Sequence, residues 1–386
     1  MGPTILLDKS ALQRLSADEA FRLDMHYNVN IAPVLIVEIL ADLKKDTNKT
    51  IKTPEDEVRI LANKVSGLSY INAHYREVLI GSLMGRPDPI VGQIPMSGGV
   101  PITDATGKRS VFFDEPPEKE AIRRWQQSQF TEAERLLAER WRGSTRKIDL
   151  EGFRNQLRKM HAKLPSIASL ADLSAIIDDL LKVPSYQRFY LEWCMQEAGV
   201  PKSRREAILR RWVNGRFGSL QTFSGYGHFI FRVILMFHLA LILGLIGTRP
   251  TNRIDLEYLY YLPFSHAFSS GDAFQRDFGR VLFLGDQDFI EADDLKQDMK
   301  NIQSHWDALG DNERTKWREE YGDYPPENDA SPTYRLWKKH MRPRSERKPI
   351  KLTEENNKRI MEHLRPQLDA IREYEKTREA EKDRSG

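Results

Sequence analysis

An α/β fold is predicted by three stretches in which a short strand-like run lies directly beside a helix. At the N-terminus Thr4 to Leu7 (TILL) is apolar enough for a buried strand; Asp8 ends it, and Lys9 and Ser10 open a helix. Asn28 to Ile31 reads as a second short strand, after which Pro33, in a first helical turn, leads into the amphipathic segment VLIVEILADLKKD. The third stretch is RIDLEYLYYLPFSHAFSSGDAFQRDF, Arg253 to Phe278. Here a helix begins around Asp255, after Thr251 and Asn252 as cap candidates, and closes at Pro263. A buried strand over His266 to Ser269 follows, and Ser270, Gly271 and Asp272 turn the chain into another helix carrying Phe274, Asp277 and Phe278.

These junctions place acids where chemistry is expected. Open α/β sheets take ligands in the crevice beyond the carboxyl ends of their strands, and Asp8 and Asp272 each follow a strand. Asp255, at a helix start, can face the same crevice. Glu38, with Asp42 one turn later, lies on a helix that is apolar over much of its circumference, and an acid there is expensive to bury unless it is paired or metal-bound. Taken singly, Asp8, Asp255 and Asp272 also read as helix caps or first-turn acids, favourable beside the helix dipole without any chemistry.

Taken in order, LLDKSAL, VLIVEILADL, RIDLEYLYYLPF and FSSGD resemble the acidic positions of the PIN-like nuclease superfamily, split in this chain by a long insertion. The resemblance covers about the first 45 residues and roughly Phe229 to Asp286, and the segment between Glu38 and Asp255 is far longer than a minimal domain of this kind has. It implies a three-layer α/β/α core with a mostly parallel sheet. It also implies that Asp8, Glu38, Asp255 and Asp272 hold Mg²⁺ or Mn²⁺, with Asp277 as an occasional fifth acid and Ser270 orienting a carboxylate or a substrate oxygen. The implied activity is hydrolysis of phosphodiester bonds in RNA or single-stranded DNA, in a toxin, a defence effector or an RNA-processing enzyme. A non-catalytic relative, serving as a nucleic-acid- or protein-binding scaffold or as an oligomer, is the alternative.

Composition frames these expectations. With 386 residues, 40% of them hydrophobic, the chain has room for two or three domains with real cores. A net charge of +3 supports no whole-chain attraction to nucleic acid, so any basic track is local. The single cysteine, Cys194, excludes an internal disulfide framework and a multi-cysteine zinc site and fits a cytoplasmic protein; it reads as a packing residue. The opening MGPTILLDKS lacks the form of a signal peptide. Phe229 to Gly247 approaches membrane-span length, but Arg232 and His238 interrupt it, so a buried central helix is expected, with His238 in the core and Arg232 balancing the carboxylates.

The expected organisation is a core from residues 1–48 and 228–292, an inserted, mainly helical domain over 49–227, a helical extension over 293–341 and a charged tail from 342. Within the insertion, Pro54 opens a helix expected to run to Leu83. Arg86 to Pro117 carries a loop and a hairpin turning at Ala105, Thr106 and Gly107, with Lys108 a turn residue, because no phosphate-loop spacing is present. PKSRREAILRRWVNGRFG concentrates positive charge, and Arg204, Arg205, Arg210 and Arg211 beside Trp212 form a candidate phosphate track; a solvated helix face is the plainer reading. Asp178 and Asp179 read as the solvent face of a core helix, and Trp306 and Trp317 as packing anchors.

Overall fold

The computed structural model describes residues 2–45, 52–89, 91–103, 107, 109–160 and 167–342, together with 346, 358, 361, 362, 364, 365, 368 and 369. The expected turn residues Ala105, Thr106 and Lys108 and most of the charged tail lie outside the described residues.

Among the described residues there are seven strands: β1 (Thr4–Leu7), β2 (Asn28–Ile31), β3 (Tyr70–Ile71), β4 (Gly99–Thr103), β5 (Arg109–Phe113), β6 (Ala267–Ser270) and β7 (Asp288–Glu291). Five form one sheet in the order β3-β2-β1-β6-β7, parallel throughout. β1 and β6 are buried at every residue, as parallel strands covered on both faces must be. The helix pair Ala17–His26 and Ala292–Ala308 packs together, and Asn252–Leu259 packs on both Pro33–Leu40 and Ala273–Leu282, an arrangement compatible with helical layers on the two faces of the sheet.

The chain therefore is α/β with a central parallel sheet, as the sequence implied. Two differences concern the insertion. The helix from Pro54 ends at Ala62, and after the Ser66-Gly67 turn the chain makes β3, which pairs with β2 through Asn30↔Tyr70 and Ile31↔Ile71, before Tyr75–Leu83 resumes. The sheet thus takes a strand from beyond residue 48. Two residues leave no alternation for a period-two pattern to register. The hairpin is real: β4 and β5 pair antiparallel from Gly99↔Phe113 to Thr103↔Arg109.

The long apolar segment forms Gly225–Leu243. Among the described residues it is the one helix long and apolar enough to cross a membrane, and it is buried along most of its length. Ser224 caps its start by accepting from the Gly227 amide at 3.0 Å. Its end is a left-handed Gly244 (φ 77°), with the Leu245 amide bonding back to Ala240 at 2.9 Å. Arg232 does not balance the site acids: it pairs with Asp178 at 2.6 Å and donates to Ser174 at 2.7 Å, fixing the Leu170–Leu180 helix against this one. Asp178 is thus a partner and not simply a solvent-facing acid. Cys194 is buried, as expected, and burial pushes its thiol up.

The C-terminal helices lock onto the core. The Trp337 indole donates to the His26 carbonyl at 2.8 Å, and the buried Tyr27 hydroxyl reaches Thr333, which donates to Asp298.

Candidate active site

β1 pairs with β2 on one side and with β6 on the other, so chain connections depart in opposite directions at the β1/β6 boundary, the position at which open α/β sheets take ligands beyond the C-terminal ends of their strands. Asp8 follows β1 directly, and Asp272 follows β6 after Gly271. Asp8 is only 4% exposed. It caps the Lys9–Arg14 helix, accepting from the Ala11 amide at 2.8 Å, and also accepts from the hydroxyls of Ser10 at 2.8 Å and Ser270 at 2.6 Å. Ser270 in turn accepts from the Asp272 amide at 2.9 Å, so one buried hydroxyl joins the two strand ends. Asp272 caps Ala273–Leu282 through the Phe274 amide at 2.9 Å.

Glu38 and Asp255 come from helices. Asp255 lies in the first turn of Asn252–Leu259, and one turn later Tyr258 donates a short hydrogen bond to Glu38 Oε2. The charges influence one another. Burial pushes the Asp8 carboxyl up to about 6, against its hydrogen bonds from Ser270, Ala11 and Ser10, and Glu38 adds to the rise. Burial also raises Glu38, opposed by the Lys9 ammonium and the Tyr258 hydrogen bond. Asp255 is driven up to about 7, mainly by burial, then by the negative charges of Asp272 and Glu38. The four acids thus share one electrostatic neighbourhood, which a cation would relax.

One cation of the chain is already there. Arg249, in the loop between Gly225–Leu243 and Asn252–Leu259, places Nη2 at 2.7 Å from Asp272 and 3.1 Å from Asp255. Lys9 sits at the other side, donating to the Glu38 carbonyl at 2.8 Å and pairing with Asp42 at 2.8 Å. Asp42, its side chain 1% exposed, also pairs with Arg142 at 2.6 Å and so ties the Glu132–Arg146 helix to the core.

The other sequence-derived candidates are placed elsewhere. Asp277 is exposed and pairs with Arg276 at 2.9 Å. On the Lys202–Asn214 helix, Arg211 turns inward, stacking 4.1 Å over the Phe223 ring and donating to the carbonyls of Leu83 and Phe223, and Arg205 donates to the Val200 carbonyl at 2.9 Å. Arg204 and Arg210 remain exposed, but six residues apart on a helix they point about 120° away from each other. The four arginines therefore form no single track, because two of them are occupied in packing and capping. Trp212, partly buried, packs edge-on against Phe223 at the margin of the core.

For a metal, the donor set is all oxygen, suited to a hard divalent cation that retains several waters. Among the described residues no three His, Cys, Asp or Glu side chains already stand together as a ligand group, so the carboxylates would have to draw inward around an ion. The pair Asp255 and Asp272 meets the requirement most directly, since both already share one positive group. Sequence reading missed Tyr258, Lys9 and Arg249. The first is visible as a polar residue three positions after Asp255, hence on the same helix face, and the second as the neighbour of Asp8; for Arg249 a loop arginine six residues before an acid gives no periodic signal.

No protein-family model, no curated protein and no solved structure matches the chain.

Proposed function

We propose that the chain is a PIN-like, metal-dependent nuclease that hydrolyses phosphodiester bonds of RNA or single-stranded DNA at the crevice of Asp8, Glu38, Asp255 and Asp272. The observation that supports it most is the junction of the β1 and β6 ends at Ser270 Oγ, which donates to the Asp8 carboxylate and accepts from the Asp272 backbone amide, with Asp8 coupled by charge to Glu38 and Asp255 to Asp272 and Glu38. The four carboxylates would hold Mg²⁺ or Mn²⁺, which would activate water at neutral pH and neutralise charge developing on the phosphate. Ser270 orients the Asp8 carboxylate and is not assigned as a nucleophile, because among the described residues no histidine or lysine base contacts its hydroxyl; its partners there are Asp8, Ser10 and the Asp272 amide. Lys9 and Tyr258 hold Glu38 in place. A cytoplasmic location belongs to this proposal.

One observation favours a second reading, a non-catalytic scaffold of the same fold: Arg249 already neutralises Asp255 and Asp272, and Asp8 and Asp272 both serve as helix caps. The discriminating experiment incubates labelled single-stranded RNA and DNA with the purified chain in Mn²⁺, in Mg²⁺ and in chelator. Metal-dependent cleavage that Asp8→Asn abolishes supports the nuclease; binding without cleavage under every condition supports the scaffold.

A further inference from the structure

Arg249 is the arginine that bridges two of the site acids. Arg142 instead spends Nη2 on Asp42 and Nε on the Ala41 carbonyl, and Arg14, beside Gly271, pairs with Asp293. Arg249 puts one nitrogen, Nη2, on both Asp255 and Asp272, while its side chain is 56% exposed. A guanidinium carries five N–H donors in a planar fork that grips two phosphate oxygens along its Nε/Nη2 or its Nη1/Nη2 edge; both edges run through Nη2, so the fork opens to a phosphate once that nitrogen leaves the two acids. The loop that carries it is set by the left-handed Gly244 and by the Asn252 side chain donating to the Gly247 carbonyl at 2.9 Å, so the arm starts from a fixed base.

Its position matters as much as its fork. Asp255 and Asp272 are the two carboxylates of the crevice that already share a cation, and the same oxygens would serve a divalent ion. A guanidinium and a divalent cation cannot occupy the oxygens of both acids together without strong repulsion. Displaced, Arg249 would stay at the mouth of the crevice with its whole fork available, a few ångströms from the carboxylates.

We propose that Arg249 is the substrate-phosphate ligand of this site, parked on Asp255 and Asp272 until a divalent cation takes its place. This rests on the nuclease reading and adds to it the residue that receives the backbone phosphate. The arrangement makes metal loading and phosphate binding cooperative, because the ion that occupies the acids also frees the arm that grips the substrate.

The test measures two equilibria on the full chain and on Arg249→Gln and Arg249→Lys: Mn²⁺ binding by calorimetry, and binding of a phosphorothioate single strand in Mn²⁺ by fluorescence anisotropy. Arg249→Gln should bind Mn²⁺ about fivefold or more tightly, because the competing cation is gone, and should bind the oligonucleotide about tenfold more weakly. Arg249→Lys, which keeps the charge but loses the planar fork, should leave Mn²⁺ affinity within about twofold while still weakening the oligonucleotide. Tighter Mn²⁺ binding with unchanged oligonucleotide affinity overturns the phosphate role, and unchanged or weaker Mn²⁺ binding in Arg249→Gln overturns the displacement. A wild-type chain that binds no Mn²⁺ at all overturns the nuclease reading itself, an outcome separate from either.

Discussion

Tyr258 donates its phenolic hydrogen to Glu38 Oε2, joining a helix from the late part of the chain to one that follows β2, 220 positions earlier. Glu38 is raised by burial, and this bond is one of the interactions that hold it down. Tyr258→Phe should therefore lower the stability of the metal-free chain at pH 7 by about 1.5–3 kcal/mol, the range for a hydrogen bond to a charged group. Urea denaturation of the two proteins checks this, and an unchanged midpoint would mean that the bond does not bear on Glu38.

Asp255 gives the site a pH signature. Its carboxyl moves from 3.8 to about 7, chiefly through burial and then through Asp272 and Glu38, so between those values the folded chain keeps a proton that the unfolded chain has released. Stability contributed by that proton is complete at the acidic end of the window and is lost as pH rises through about 7. Relative to Asp255→Asn, the metal-free wild type should lose several degrees of melting temperature between pH 5 and pH 8. Mn²⁺, which favours the ionised form, should stabilise the wild type more at pH 8 than at pH 5. A difference between the two proteins that is flat with pH would contradict this.

Asp42 stands in a different relation to the site. It is a buried anion between Lys9 and Arg142, and removing it strands two cations. Asp42→Ala should cost about 3–5 kcal/mol, whereas Arg142→Ala should cost less because that side chain is one-third exposed. Chemical denaturation orders the two variants; equal losses would mean that Asp42 is not the hub.

The arginine helix yields a contrast within one element. Arg211→Ala removes the stack on Phe223 and two carbonyl bonds and should cost about 2–3 kcal/mol, while Arg204→Ala and Arg210→Ala should fall within about 0.5 kcal/mol. Denaturation midpoints separate these cases, and three equal values would return Arg211 to the surface.

What the sequence revealed and what it hid have local causes. β1 and β2 were legible to the residue, because each is a short run bounded by Asp8 or Pro33; Asp8, Asp255 and Asp272 stood at boundaries that helix capping and strand ends make visible, and Glu38 showed as an acid on an apolar helix. β3 was hidden by its length, and β7 by its mixed composition, DFIE, directly against a helix. The partner of Arg232 could not be read, since a salt bridge to Asp178, 54 positions away, leaves no trace in either helix's periodicity. The same holds for Arg249, whose role depends on where a loop brings it and not on its neighbours in sequence. The basic helix misled because charge density was legible while orientation was not: Arg211 lies beside Trp212, but only the fold shows it facing Phe223.

The most direct test of the carboxylate centre is thermal melting of the wild type and of Asp8→Asn with Asp272→Asn, each in chelator and in Mn²⁺. Asparagine caps helices about as well as aspartate, so the substitutions preserve the caps while removing two charges. The account predicts a wild type that Mn²⁺ raises by several degrees and a double variant that melts no lower than wild type in chelator and does not respond to Mn²⁺. A wild type indifferent to Mn²⁺, with a double variant destabilised in chelator, would show that these acids serve the fold and hold no metal.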